Sequence, residues 1–164
     1  MLCVPMSSLI SSLASSIYAV EANCDIAELA HLYAEPLAPS LATLLSRHAQ
    51  PTSRAWWLRR QSGVEAVAWF SRVVDQAELL DVRVAAPLRG TGLGWQLLTY
   101  AQTQLAAEGV AECYLEVRQS NLSAQHLYRR LGWVTCGQRS DYYATETGRE
   151  DAILMTLQLA NPIK

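Results

Sequence analysis

Lysine is nearly missing from this chain of 164 residues, because Lys164 is the only one. Schiff-base and pyridoxal chemistry use a lysine amine, so the sequence excludes both. A P-loop nucleotide site also needs a lysine in its glycine-rich turn, which excludes that site as well. Any anionic ligand must therefore be held by arginines, by backbone N–H groups, or by both.

Cysteine and histidine are present, but not at the spacing of a metal site. They are far apart in the sequence and form no CxxC pair: Cys3, Cys24, Cys113 and Cys136, with His31, His48 and His126. Zinc and other transition-metal sites need such residues at short, regular spacings. We therefore expect no metal, and free thiols in a reducing cytoplasm.

Strong charge and long hydrophobic runs are also lacking. The formal net charge is −2, which gives no broad basic surface for nucleic acid or an acidic membrane. Residues 1–16 lack both the basic start of a signal peptide and the ~20 apolar residues that span a bilayer. We expect a poorly specified leader at 1–16, a cytoplasmic protein, and neither nucleic acid nor membrane as a direct partner.

The apolar content of 51% is sufficient for one globular domain over residues 1–164. The predicted strands cover residues 17–22, 79–84, 113–117, 133–139 and 153–159, with two more on either side of a turn at 61–63. The predicted helices cover residues 26–35 and 41–45, one closing at Gly109, and one between Asn121 and Gly132. Antiparallel strands followed by alternating strands and helices predict a mixed α/β sheet.

The stretch from Leu79 to Leu105 carries the clearest chemical signal. An apolar strand, with Leu80, Val82 and Val84 on one face, leads into the turn Arg89–Gly94, and a helix follows. The glycines let backbone N–H groups approach a phosphate, whose negative charge the helix N-terminus favours. The arginine that opens the turn can add a charge-assisted hydrogen bond. This unit predicts an anion site.

The spacing of the glycines restricts which kind of phosphate-binding motif this turn can be. The dinucleotide motif GxGxxG, started at Gly90, requires a third glycine where Trp95 stands. What remains is Arg-x-x-Gly-x-Gly after a strand that ends in VRV. This pattern resembles the acetyl-CoA pyrophosphate loop of the GNAT N-acetyltransferase superfamily. The alternative interpretation of residues 89–94 is a surface turn without a ligand.

A second resemblance lies in the C-terminal half of the chain. The segments LEVRQSNLSAQHLYRRLGW and RSDYYATETGREDAILM resemble the ribosomal-protein-alanine N-acetyltransferase (RimI type) group of that superfamily. The likeness covers about residues 78–159. It implies the α/β GNAT fold, a mixed, mostly antiparallel seven-stranded sheet that splays between its fourth and fifth strands, flanked by about four helices.

The resemblance also implies acetyl-CoA as cosubstrate, bound by the catalytic half at residues 79–159. The pantetheine would lie between the parted strands, with the pyrophosphate on the glycine turn. The residues that this assigns to acetyl-CoA are Val82, Val84, Arg89, Gly90, Thr91, Gly92, Leu93, Gly94, Asn121 and Tyr128. Asn121 is in addition a good N-cap for its helix.

Glu116 is a candidate general base. A protein α-amine has a pKa of about 8, so it must lose a proton before it can attack a thioester at neutral pH. Strand alternation places Glu116 on the face opposite Cys113, Leu115 and Val117. An ordinary strand carboxylate paired with an arginine fits the spacing equally well, and the match to LEVR favours the base. Asp81 on the fourth strand is the alternative base.

Three tyrosines complete the expected site. Tyr128 lies on the apolar stripe of its helix, as a core tyrosine would, and the resemblance implies that its hydroxyl protonates the departing thiolate. Tyr142 and Tyr143 lie in a polar loop before the last strand. The resemblance implies that this pair hydrogen-bonds the backbone of an incoming peptide N-terminus. A tyrosine pair packed on the sheet is the alternative interpretation.

The N-terminal half departs from the family pattern. Where the family has an aromatic segment of the Phe-Pro-Trp-Ser type, this chain has EPLAPSLATLL at residues 35–45. Arg83 is large and charged at a position where a small residue is expected. Both departures concern the acceptor rather than acetyl-CoA.

Three hypotheses about function follow. The first is acetyl transfer to the α-amine of a protein N-terminus, with a ribosomal protein as one candidate. The attack would be direct, in a ternary complex, because no cysteine lies in the cleft motif. The second keeps the fold and acetylates a small amine, such as a polyamine, an aminoglycoside or an amino acid. The third is a non-catalytic acyl-CoA sensor, which would not need both Glu116 and Tyr128.

Overall fold

The computed structural model describes residues 17–19, 26–34, 39–60 and 63–159. The predicted leader at 1–16, the end of the first predicted strand at 20–22, and the turn residues Gln61 and Ser62 lie outside these ranges. Within them, no helix is long and apolar enough to cross a membrane.

Over the described ranges, seven strands form one sheet. They are β1 (Ile17–Ala19), β2 (Ser53–Arg60), β3 (Gly63–Val73), β4 (Gln76–Val84), β5 (Glu112–Arg118), β6 (Val134–Thr145) and β7 (Gly148–Gln158). Their order across the sheet is β1-β2-β3-β4-β5-β7-β6. Every neighbouring pair is antiparallel except β4 and β5, which are parallel. This confirms the predicted mixed, mostly antiparallel sheet.

Four α-helices flank the sheet in the described part of the chain. They are α1 (Ile26–Ala30), which a 3-10 turn at His31–Tyr33 extends, α2 (Leu41–His48), α3 (Leu93–Ala107) and α4 (Leu122–Arg130). The predicted caps of α2 and α4 are confirmed. The Ser40 hydroxyl accepts the N–H of Thr43 at 3.2 Å, and the Asn121 side chain accepts the N–H of Ala124 at 3.1 Å.

The helices cover the two faces of the sheet unequally. One apolar cluster joins α3 and α4 to the inward-facing residues of β2 to β5 and β7, and includes Leu97, Leu105 and Tyr128. A smaller cluster joins α1 and α2 to β2 and β3, around Leu29 and Trp69. Among the described residues, the smaller cluster contains none from β5, β6 or β7. Within that part of the chain, these strands keep an open face on the α1/α2 side.

A bulge in β4 changes which of its residues face α1 and α2. Trp69 pairs with Asp81 and Phe70 with Leu79, so Leu80 is an extra residue. The expectation that Leu80 shares a face with Val82 and Val84 is therefore wrong. Leu80 packs with the Trp69 cluster, whereas both valines pack with the α3/α4 cluster.

The predicted splay between β4 and β5 is confirmed. The two strands pair only from Gln76 with Glu112 to Leu79 with Leu115. Beyond this point β5 stays paired with β7 as far as Arg118. The space between Leu80–Val84 and Glu116–Arg118, called the opening below, exposes one strand edge of β4 to a ligand.

The loop predicted before the last strand is instead part of a long hairpin. Tyr142 and Tyr143 lie within β6, whose register against β7 shifts between Arg139 and Tyr143. Asp141 has a φ of +53°, and its N–H donates to the Asp151 carboxylate at 2.8 Å. The polar composition suggested a loop because both faces of this edge strand meet solvent, so the usual apolar alternation is missing.

Candidate active site

The predicted glycine turn lies between β4 and the N-terminus of α3. Gly90 and Gly92 have φ values of +78° and +93°, a backbone conformation that other residues rarely adopt. Gly92 is the N-cap of α3 and offers no side chain, which leaves the N–H groups of the first turn to a ligand. The Arg89 guanidinium donates to the Val84 carbonyl at 3.3 Å, which places its positive charge at the turn.

A cavity of about 390 Å³ lies beside this turn. Its lining residues in the described chain are Val82, Val84, Leu88, Arg89, Gly90, Gly92, Leu93, Gly94, Trp95, Asn121, Ser123, Ala124, His126, Leu127 and Arg130. This set contains two arginines and no aspartate or glutamate. A positively charged cavity at a helix N-terminus suits a phosphate-bearing ligand.

The predicted acetyl-CoA residues all line this cavity except Thr91 and Tyr128. The Thr91 hydroxyl instead donates to the Leu88 carbonyl at 2.6 Å. The sequence reasoning missed Ser123, His126 and Arg130, which line the cavity from α4. Their three- and four-residue spacing puts them on one face of the helix, and this signal could have found them.

Gly94 is needed for packing rather than for the turn. A Cβ atom at this position would lie 3.2 Å from the Leu127 Cδ2 atom. The missing side chain therefore lets α3 and α4 approach each other beside the cavity.

Glu116 lies at the opening, on the sheet face that α1 and α2 leave uncovered. Its side chain is 22% exposed, and its Oε1 atom lies 3.2 Å from the Arg139 Nε atom. It also accepts a hydrogen bond from Tyr142, which raises the pKa of Tyr142. Glu116 also lines a surface groove of about 370 Å³.

 The full lining of this groove is Ser71, Val73, Gln76, Ala77, Glu78, Tyr114, Leu115, Glu116, Cys136, Arg139, Leu154 and Met155.

Asp81, the alternative base, lies on the same sheet face but is enclosed. Its Oδ2 atom accepts the Tyr33 hydroxyl at 2.9 Å and the Arg83 Nε–H at 3.1 Å. The Trp69 indole N–H donates in turn to the Tyr33 oxygen at 2.8 Å. Burial raises the pKa of Asp81, and the arginine and tyrosine oppose this shift only in part. The hydrogen bonds from Tyr33 and Arg83 hold the carboxylate in place.

Tyr128 is buried on α4, with its ring centroid 6.0 Å from that of Trp133. Burial raises its pKa, and the negative charge of Asp81 raises it further. The hydroxyl therefore keeps its proton at neutral pH and can act as a donor. This packing is compatible with both roles of Tyr128, as a core residue and as the acid at the opening.

Tyr142 and Tyr143 lie on the β6–β7 hairpin, next to Glu116 of β5. Their rings form an edge-to-face pair with centroids 5.0 Å apart. The Arg118 guanidinium lies 4.4 Å from the Tyr143 ring centroid, and its Nη1 atom is 2.6 Å from a Glu150 oxygen. Burial, followed by the charge of Glu116, raises the pKa of Tyr143 to about 12. Both hydroxyls are therefore neutral donors at physiological pH.

The described residues contain no group of three or more histidine, cysteine or acidic side chains that could hold a metal ion. Cys113 is buried, and burial raises its pKa to about 12, so its thiol is unreactive. Cys136 is exposed and lines the same groove as Glu116, which the sequence did not indicate.

Comparison with known proteins agrees with this geometry. A chain from Escherichia coli (strain K12) named "[Ribosomal protein bS18]-alanine N-acetyltransferase" is 39% identical over 103 residues, which are 63% of this chain and 70% of that one. A streptothricin acetyltransferase from Streptomyces lavendulae is 33% identical over 97 residues, covering 58% and 49% of the two chains.

The solved structures agree as well. The crystal structure of the ribosomal-protein-S18-alanine N-acetyltransferase from Escherichia coli superposes with a TM-score of 0.79 at 31% identity, over 88% of this chain and 94% of that one. The model of the Acetyltransferase (GNAT) family matches residues 20–133. This chain therefore belongs to the GNAT family of acetyltransferases.

Proposed function

We propose that this enzyme transfers the acetyl group of acetyl-CoA to the α-amine of a protein N-terminus, with a ribosomal protein as one candidate. The observation that carries the proposal is the position of Glu116 at the opening, within reach of Tyr142 and Arg139. The 39% identity to a ribosomal-protein-alanine N-acetyltransferase supports this acceptor. Such an enzyme would work in the cytoplasm, with neither nucleic acid nor a membrane as a direct partner.

The chemistry of the cavity beside the glycine turn suits acetyl-CoA. The first-turn N–H groups of α3, with Arg89 and Arg130, would hold its phosphates. The strand edge of β4 that is unpaired beyond Leu79 offers backbone donors and acceptors to the pantetheine amides. Bound there, acetyl-CoA supplies an activated thioester to the opening.

In the proposed reaction Glu116 accepts a proton from the acceptor ammonium, either directly or through one water. The freed amine attacks the thioester carbonyl, so that a C–N bond forms and the C–S bond breaks. Tyr128 donates its hydroxyl proton to the departing thiolate, which leaves as a thiol, and the second proton lost by the attacking nitrogen as the amide forms restores the Tyr128 hydroxyl. The raised pKa of Tyr128 is consistent with this role, because the hydroxyl is protonated before the transfer.

Tyr142 and Tyr143 would bind the backbone of the acceptor. Tyr142 is 41% exposed, and it extends from the hairpin beside the candidate base. Aromatic residues with a polar tip combine contact area with one directed hydrogen bond. An acceptor peptide held there would present its amine to Glu116.

A small-molecule amine is the second candidate acceptor. It is favoured by the 33% identity to a streptothricin acetyltransferase. The two functions differ in what Tyr142 and Tyr143 contact, since a small amine has no peptide backbone for them to bind.

The test is a turnover screen that measures CoA release with acetyl-CoA. The acceptors are peptides that begin with alanine, the same peptides with a blocked N-terminus, streptothricin, a polyamine and free amino acids. We expect the highest kcat/KM with a free peptide N-terminus and no release with its blocked form. A higher kcat/KM with a small amine would overturn the proposed acceptor. Binding of acetyl-CoA without turnover on any amine would favour the sensor.

A further inference from the structure

Arg83 is a buried charged residue on β4 that the proposed reaction does not use. Its side chain is 8% exposed, and it lies beyond the bulge, on the face that Asp81 and Glu116 share. The strand pairing of β4 with β5 has ended before this point, so Arg83 borders the opening.

Contacts with Asp81, Pro39 and Tyr33 help to hold the Arg83 side chain in one place. Its Nε–H donates to Asp81 at 3.1 Å, and its Nη2 atom lies 3.4 Å from the Pro39 carbonyl. The guanidinium lies 4.5 Å from the Tyr33 ring centroid, in a cation–π arrangement. Because Tyr33 and Pro39 belong to the segments next to α1 and α2, Arg83 joins β4 to the helices that cover this face.

The register of the strands places Arg83 close to the level of Glu116, the candidate base. Leu79 is level with Leu115, and the extra residue in the bulge brings Asp81 to the level of Glu116. Arg83 is two residues further along, which is ~7 Å at the usual rise of a strand. An acceptor whose amine meets Glu116 would approach along this sheet face, so its first side chain would extend towards Arg83.

We propose that Arg83 determines which first residue the acceptor can have, by filling the space beside the opening so that only a small side chain fits. The inference rests on the proposed function. The restriction is one of volume, because Asp81 already neutralises the guanidinium. A larger first side chain would have to displace a side chain that an ion pair and an aromatic ring hold in place.

The test compares kcat/KM for peptides that differ only in their first residue, alanine against leucine and phenylalanine. Arg83→Ala opens the space, whereas Arg83→Met removes the charge and keeps most of the volume. One methylene group in a pocket changes specificity by ~10–200-fold, so we expect Arg83→Ala to raise the leucine-to-alanine ratio at least ~10-fold. Arg83→Met should keep the wild-type ratio.

Two controls keep the test decisive. Arg72→Ala removes an arginine at the other end of the β3–β4 pair, where it donates to the Glu108 carbonyl at 2.9 Å, and should not change the ratio. If Arg83→Ala does not fold because Asp81 is left unpaired, the double variant Asp81→Asn/Arg83→Ala removes that charge and makes the same comparison.

An unchanged ratio in a folded alanine variant, beside a wild type that acetylates peptides, would overturn the role of Arg83 and leave the proposed function intact. A ratio that rises equally in Arg83→Met would overturn the volume argument, since charge would then be the cause. A wild type that acetylates no peptide would overturn the proposed function, and this inference with it.

Discussion

Two carboxylates on one sheet face flank the opening, and their surroundings differ. Asp81 is 12% exposed and accepts hydrogen bonds from Tyr33 and Arg83. Glu116 is 22% exposed, and the arginine beside it, Arg139, is itself 54% exposed. One carboxylate is enclosed by partners from the 3-10 turn after α1 and from β4, and the other faces an open groove.

The difference indicates which carboxylate can act as a base. A base must exchange its resting partner for the acceptor ammonium, and an exposed ion pair costs only ~0.2–1 kcal/mol to break. Breaking a buried pair from one side typically costs ~3–5 kcal/mol, because the other charge is left without a partner. Glu116 can therefore exchange Arg139 for a substrate, whereas Asp81 is suited to hold Tyr33 and Arg83 in place.

The largest expected effect is that of Glu116→Gln. The amide keeps the shape of the side chain but cannot accept the proton of the amine, so kcat should fall by ~10²–10⁴ at neutral pH. Steady-state kinetics with an N-terminal peptide would measure this, with binding of acetyl-CoA as the control. An unchanged kcat would remove Glu116 from the mechanism.

Tyr128→Phe should have the next largest effect. The variant loses one neutral hydrogen-bond donor, worth ~0.5–1.5 kcal/mol, so kcat should fall by up to ~tenfold while the ring still packs against Trp133. The thermal unfolding midpoint serves as the control for packing. Wild-type turnover in this variant would identify Tyr128 as a core residue only.

Arg139→Gln tests the exposed ion pair of Glu116 and should have a smaller effect. If the exposed pair orients Glu116, its loss should lower kcat a few-fold, in line with ~0.2–1 kcal/mol. Arg139→Lys keeps the charge and should restore part of the rate. A fall in kcat that lysine does not reduce would mean that the cation is not what orients Glu116.

Asp81→Asn tests the enclosed carboxylate, and we expect this variant to turn over at a rate close to that of the wild type. Its effect should be on stability. Because the folded pKa of Asp81 is raised, the folded protein binds more protons than the unfolded chain, and stability falls as pH rises through the folded value. Urea denaturation should therefore show the stability difference moving in favour of the variant as pH rises from about 4, in addition to the pH-independent cost of leaving Arg83 without its charged partner.

Local patterns in the sequence predicted much of the site. The glycine turn follows from residues 89–94 alone, and the caps at Ser40 and Asn121 follow from residue type. Strand alternation also placed Glu116 on the face opposite Cys113, as observed. Each of these features depends on neighbours within a few residues.

Features that depend on strand register were not predicted. The bulge at Leu80 is a property of the β3–β4 pairing, and it decides where Asp81 and Arg83 lie. The placement of Tyr142 within β6 likewise depends on its pairing with β7. The bond between Tyr33 and Asp81 joins residues 48 positions apart, beyond the reach of any local pattern.

The most direct test of the central claim, that Glu116 is the base and Asp81 is not, is a comparison of pH–rate profiles. Wild type, Glu116→Gln and Asp81→Asn would be measured with the same N-terminal peptide from pH 6 to pH 10. We expect Glu116→Gln to be slow near neutral pH and to recover part of its rate as the amine, with a pKa of about 8, loses its proton in solution. Asp81→Asn should follow the wild-type profile. A slow, pH-rescued Asp81→Asn beside a wild-type Glu116→Gln would contradict the account.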